Sequence, residues 1–218
     1  MGTPLGEVIA AIGRGPRPGH GIKAVLPGVS NAIIPGSLLD TPVSYEALQS
    51  IGSGLGSAGF IVFDDASDMA AVAAGVSRFL AVESCGQCTP CKQTGLILAD
   101  LLARVSRSEA TDYDLAAIKR RVGLVAERAR CYLASQHQVV VRSILERFPE
   151  EIRAHVKGDA DGVVPELIAE LLDMRAGVAV TDERHREKLP DWTYGHEYSG
   201  RWPADWLDDH RAPKPLVS

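Results

Sequence analysis

The rhythm of apolar and polar positions changes twice along the chain. From residue 1 to about 65, short apolar runs are cut by Gly and Pro: "IKAVLPG" (22–28), "NAIIPG" (31–36) and "AGFIVFDD" (58–65). Such runs, closed by turn formers, predict strands, and "YEALQSIG" (45–52) predicts one short helix among them. From 66 to 156 the spacing turns helical. "DMAAVAAGVSRFLAVES" sets Met69, Val72, Val76, Phe79 and Leu80 along one face, with Asp65 or Ser67 available as its N-cap. "QTGLILADLLARV" (93–105), "TDYDLAAIKRRVGLVAERA" (111–129) and "SQHQVVVRSILERF" (135–148) predict three more helices. Thr111 with Asp114 three residues on is an acidic relative of the capping box. Pro149 stops the last of the four, and "PEEIRAHV" (149–156) continues beyond it. Four helices with short links predict an antiparallel bundle.

The third region differs again. "GDADG" (158–162) predicts a linker, and "VVPELIAELLDMRAG" (163–177) a last helix with Pro165 in its first turn and Gly177 at its end. The remainder is polar and punctuated by Pro, and it holds Trp192, Trp202 and Trp206, every Trp of the chain. The expected fold class is α+β. A small α+β unit occupies 1–65, a helical unit 66–157, and a helix plus an irregular Trp-rich tail 158–218.

Composition narrows the function classes. Apolar residues make up 45% of the 218 and charged residues 23%, enough for a globular core, and the net charge is -5. No Lys/Arg block suggests nucleic acid or an anionic membrane surface. No run of about 20 apolar residues exists, so direct membrane insertion is not expected. "MGTPLGEVIAAIGRG" lacks the basic start of a secretory signal, so a cytoplasmic location is expected. Thiols stay reduced there, which favours metal binding over disulfides.

That matters because the chain has four cysteines, three of them in "ESCGQCTPC" (83–91). Cys85, Cys88 and Cys91 stand at three-residue steps, and thirty-nine residues lie between Cys91 and Cys131. Thiolates are soft ligands that select zinc, Cu(I) or iron–sulfur clusters. Zinc knuckles tend to use two separated Cys pairs. Three cysteines in one loop and one distant fourth suit a cubane, whose corners stand well apart. The spacing therefore favours an iron–sulfur cluster over zinc, without separating a structural role from an electron-carrying one. Gly86 lets the loop curl close to sulfide, Thr89 offers a hydrogen bond, and Pro90 stiffens the turn. Lys92, Lys119 and Arg130 are cations whose proximity would raise a cluster's potential.

Other candidates read as bland. Glu83 is more readily a helix-end carboxylate than a proton acceptor. His137 would be a fifth ligand beside four thiolates and is not needed. His185, His196 and His210 match no metal spacing and are expected in solvent. Ser84 and Ser135 have no visible His–Asp partners. "GRGPRPGHG" (13–21) lacks the strand–loop–helix context of a phosphate cradle and reads as a surface turn. Trp192, Tyr194, Tyr198, Trp202 and Trp206 suit a partner interface or a belt folded back on the helices.

These residues resemble a known family. "ESCGQCTPC" is similar to the cluster motif of the flavin-bearing, NADH-binding subunit of NADH:quinone oxidoreductase, and of the related subunits of NAD-linked formate dehydrogenases and NAD-reducing hydrogenases. "KAVLPGVSNAIIPG" resembles the "KAVIPGGSS" stretch of that family's soluble-ligand-binding β-grasp domain, and "GSGLGSAGFIVFDD" its "GSMLGSGAVIVMD" segment. "RCYLAS" and "LERFPEEIRAHV" resemble its last-cysteine region, so the likeness runs from about residue 3 to 156. It implies one 4Fe-4S cluster on Cys85, Cys88, Cys91 and Cys131, in a four-helix bundle behind an incomplete β-grasp-like unit. It implies single-electron relay between a flavin and further clusters in partner subunits. The family's flavin and NADH domain, with its "GRGGAGFPTG" loop, has no counterpart here. FMN and NAD are therefore expected only on a partner chain, and the protein is not expected to oxidise NADH alone. "KQTG" replaces the family's "REGT" after Cys91, keeping a cation as Lys92, and "RCYLAS" replaces "ICALGD", which places Tyr132 where it would shield the cluster or alter a partner contact. The alternatives are a structural or assembly module, or a fragment of a longer flavoenzyme.

Overall fold

A computed structural model describes residues 2–175 and 178–194; of 178 and 179 only the backbone is described. Three strands form the first layer. β1 (Ile22–Pro27) lies between β2 (Ile34–Pro35) and β3 (Phe60–Asp64), antiparallel to both. Val25 pairs with Ile34 on one side and Val62 on the other. Side chains on a strand alternate between faces, and the packing follows. Ala24, Leu26, Ile33 and Phe63 enter the large helical core, whereas Val25 and Ile34 pack with Leu5, Ile9 and Leu48.

The second group belongs to two helices on the outer face. α1 (Leu5–Gly13) buries Leu5 and Ile9 and ends at Arg14 in left-handed backbone. This helix was not expected from the sequence. α2 (Tyr45–Ser50) is capped by Ser44, whose hydroxyl accepts from the Ala47 N–H at 3.1 Å.

Five helices follow: α3 (Met69–Glu83), α4 (Gly95–Ser106), α5 (Asp112–Leu124), α6 (Leu133–Arg147) and α7 (Pro149–Lys157). The α3 N-cap is Asp68, accepting from the Ala71 N–H at 2.8 Å, rather than Asp65 or Ser67. The Thr111–Asp114 capping box forms as expected. α3 packs on α4 and α6, α4 on α5, and α5 on α6, so the contacts close in a ring, with α7 against α3, α4 and α6. α3 is buried on nearly every side. Sheet and helices are joined by polar ties. Glu151 accepts from the Met69 N–H at 2.7 Å and from Lys23 at 2.9 Å, and Ser143 accepts from the Ile33 N–H at 2.9 Å.

The expected helix over 163–177 does not form. Residues 161–170 run without regular structure, and a hairpin follows, β4 (Leu171–Arg175) with β5 (Val178–Thr181). The backbone donors go elsewhere: the Val163 N–H to the Ser106 carbonyl at 2.6 Å and the Glu166 N–H to the Ala71 carbonyl at 2.9 Å. Pro165 has no N–H to give, and Gly75 clears the way. A Cβ on Gly75 would stand 2.0 Å from the Glu166 carbonyl oxygen. The segment is thus a strap laid over α3 and α4. Among the described residues, no helix is long and apolar enough to cross a membrane.

Candidate metal centre

α3 runs into the cysteine loop. Ser84 leaves helical backbone, and its N–H still bonds the Leu80 carbonyl. Gly86, at φ 78°, turns the chain in the left-handed region that side chains disfavour. A π turn over Pro90–Thr94 then opens α4 and carries Cys91 and Lys92 inside it. Such wide turns recur at functional sites because the extra residue swings side chains out of helical register. The Lys92 N–H bonds the Cys88 carbonyl at 3.0 Å and closes the loop on itself.

Cys131 comes from the turn between α5 and α6. Its neighbour Arg130 donates its backbone N–H to the Cys88 sulfur at 3.4 Å, so the turn that bears Cys131 meets the loop. The thiols grade outward: Cys91 is buried, Cys85 and Cys88 are half-buried, and Cys131 is exposed. Burial pushes the Cys91 thiol up to about 11, and the negative charges of Cys131, Cys88 and Cys85 add to this, against Lys92. Four thiols that act on one another in this way ionise together only with a polycation between them. Among the described residues, no three of these sulfurs stand within 4.8 Å of one another. One small ion would draw them to about 4 Å, from its ~2.3 Å bonds. Four thiolates are the donor set of an iron–sulfur core.

Among the described residues, Lys92 is the largest fully buried side chain, 1% exposed. Its ammonium donates to the carbonyls of Ala81 (2.9 Å), Val82 (3.1 Å) and Ser84 (2.9 Å), acceptors at the end of α3 that no further helical turn would satisfy. Burial brings it down to about 8, opposed by the charges of Cys91, Glu83, Cys85 and Asp191. His137 is not offered to the sulfurs: its Nε2 shares a 2.8 Å hydrogen bond with Ser77 Oγ, and burial drives its pKa down to about 4. Tyr132, expected to shield the site or meet a partner, stands 70% exposed.

A second strap covers the same helix end. Glu83 accepts from His185 Nε2 at 3.0 Å and Lys188 Nζ at 2.5 Å. Burial works against its charge, but Lys188 and His185 outweigh it and hold Glu83 below the usual carboxylate range. His185 is therefore not in solvent as expected. It is 5% exposed, with its ring 5.3 Å from that of Phe79. Arg78 donates to the carbonyls of Arg186 (2.7 Å) and Lys188 (3.1 Å), and Trp192 Nε1 to that of Val82 (2.9 Å). The described part of the Trp-rich segment is a belt on α3. His196, Tyr198, Trp202, Trp206 and His210 lie outside the described residues. These contacts join residues about a hundred positions apart, so no local spacing announced them.

The 13–21 loop is a turn fastened to β3 by carboxylates. Arg17 pairs with Asp64 (2.5 and 2.9 Å), and His20 with Asp65 (2.5 Å). Two carboxylates at its mouth oppose a phosphate.

Comparison with known proteins finds relatives of this chain. Residues 71–155 match the family described as the NADH-ubiquinone oxidoreductase-F iron-sulfur binding region. The chain is 34% identical over 158 residues to the F 2 subunit of NADH-quinone oxidoreductase from Rhizobium meliloti (strain 1021), covering 72% of itself and 38% of that protein. It is 34% identical over 157 residues to the HndC subunit of the NADP-reducing hydrogenase from Solidesulfovibrio fructosivorans, covering 72% of itself and 32% of that protein. A crystal structure of NAD+-reducing NiFe hydrogenase in the H2-reduced state superposes with a TM-score of 0.61 at 26% identity, over 71% of this chain and 26% of that one. The chain spans about a third of the length of the curated relatives it matches, 38% and 32% for these two.

Proposed function

From the match of residues 71–155 to the NADH-ubiquinone oxidoreductase-F iron-sulfur binding region, we propose that the chain is an electron-transfer module of an NAD(P)-linked oxidoreductase. One 4Fe-4S cluster would be held by Cys85, Cys88, Cys91 and Cys131. Bound there, it would supply one-electron chemistry without bond making. The observation that carries the reading is the Arg130 N–H on the Cys88 sulfur, which brings the turn bearing Cys131 onto the loop.

The chain's own residues have definable parts in this. The thiolates bind. Gly86 and the π turn orient them. The belt of His185, Lys188 and Trp192 keeps water from the α3 end. Cys131 and Tyr132, both exposed, mark the side on which a partner would approach. We read residues 1–65 as a partial β-grasp unit, 66–157 as a four-helix bundle carrying the cluster, and 158–218 as strap and tail. A flavin-bearing chain with FMN and NAD, and further iron–sulfur subunits, are the partners this reading requires.

Anaerobic reconstitution with iron and sulfide tests it. About four irons per chain and an electron paramagnetic resonance signal on reduction are expected. One zinc per chain and no iron would overturn it in favour of a structural site.

A further inference from the structure

We propose that Lys92 is a positioning residue of this site: its buried ammonium pins the Cys85–Cys91 loop to the end of α3 and keeps a positive charge behind the thiolates, raising the reduction potential of whatever cluster they hold. The inference rests on the reading of the four cysteines as cluster ligands.

Geometry is its first support. An ammonium carries three donors and no acceptor. Lys92 meets three acceptors, the carbonyls of Ala81, Val82 and Ser84, at 2.9 to 3.1 Å. All three belong to the last turn of α3 and the residue before Cys85. The side chain therefore reaches back across the loop from the residue after Cys91 to the residue before Cys85. The loop's two ends are fastened by one group, and the converging carbonyls suit a compact ammonium better than a planar guanidinium.

Charge is the second. A buried cation normally has a carboxylate against it. The hydrogen bonds of the Lys92 ammonium go to neutral carbonyls instead. Of the two carboxylates whose charge reaches the ammonium, Glu83 and Asp191, Glu83 is itself held by His185 and Lys188. The charges that act on the ammonium begin with Cys91 and go on to Glu83, Cys85 and Asp191. The foremost of these charges is a ligand sulfur, so the positive charge acts on the sulfurs without being hydrogen-bonded to a carboxylate. Reduction adds a negative charge there, and a fixed cation in a low-dielectric setting favours the reduced form.

The test is redox titration, followed by electron paramagnetic resonance, of reconstituted wild type and of Lys92→Gln, Lys92→Met and Lys92→Arg, with iron counted in each. Lys92→Gln keeps amide donors for the carbonyls but removes the charge, which separates charge from folding. It is expected to lower the one-electron reduction equilibrium about tenfold, which is about 59 mV. Lys92→Arg, with the charge restored, is expected to stay within about threefold of wild type. A Lys92→Gln protein with full iron and an unshifted potential overturns the proposal, as does a Lys92→Arg protein that falls as far as Lys92→Gln. Iron loss in the Met variant together with full loading of the Arg variant supports it. Wild type that binds no iron sinks the cluster reading itself, whatever the variants do.

Discussion

Trp192 donates its indole N–H to the carbonyl of Val82 at 2.9 Å, and Lys92 reaches the same oxygen at 3.1 Å. One carbonyl at the end of α3 thus ties the cysteine loop to a segment more than a hundred residues away. Trp192 holds this contact with left-handed backbone, φ 68°, a conformation that costs a bulky residue and persists only where surrounding contacts require it. Trp192→Phe keeps most of the ring and loses the donor. It is expected to cost about 1 kcal/mol in urea denaturation, and it should quicken air bleaching of the reconstituted centre. Unchanged stability and bleaching would mean that the belt merely rests on α3.

The first strap offers a cleaner contest of magnitudes. Ala in place of Gly inside α3 should gain about 1 kcal/mol of helix propensity. At Gly75 the new methyl would meet the Glu166 carbonyl at 2.0 Å, and that atom is backbone held by the Ala71 carbonyl bond. Overpacking of this kind costs about 1–3 kcal/mol. Gly75→Ala is therefore expected to be destabilising by about 1 kcal/mol net, and to increase proteolysis within 161–170. A more stable, equally protected variant would show that the strap yields freely.

Much of this architecture was legible in the sequence because local signals agreed with tertiary packing. The alternation in "IKAVLPG" is realised as Ala24 and Leu26 on one face and Val25 on the other. The Thr111–Asp114 box formed because both partners lie within one turn. Two elements were misread. α1 hides behind Gly6 and Gly13 and leaves Ile12 81% exposed, so its helical pattern is only half used. "VVPELIAELLDMRAG" has helical spacing, yet its donors found the carbonyls of Ser106 and Ala71. The site divides in the same way. Three-residue steps announced the cysteines, whereas the burial of Lys92 and His185 depends on contacts that no short-range pattern encodes.

The cysteines themselves should differ when replaced singly. Cys131 is exposed and Cys91 is 8% exposed. Cys131→Ser is expected to cut the reconstituted iron to less than half while leaving the circular dichroism and urea midpoint of the metal-free chain within about 0.5 kcal/mol of wild type. Cys91→Ser should lose iron equally and also cost about 1 kcal/mol or more, since a hydroxyl replaces a buried thiol. Full iron in Cys131→Ser would remove that residue from the ligand set.

His137 gives the metal-free chain a measurable acid sensitivity. Its ring is fully buried against Ser77, and burial brings its pKa from the ordinary 6.5 down to about 4. Folded, the imidazole stays neutral to about pH 4; unfolded, it takes a proton from about pH 6.5 downward. Between those values the unfolded chain binds more protons, so stability falls as pH falls. Above about pH 6.5 this contribution is fully present, and at about pH 4 roughly 3 kcal/mol of it has gone. His137→Gln, which keeps a polar group for Ser77 but cannot titrate, is expected to be less stable than wild type at about pH 7.5 and to lose less on going to about pH 4.5. Urea midpoints at the two pH values measure the difference. Parallel losses in both proteins would mean that the buried imidazole takes its proton without unfolding.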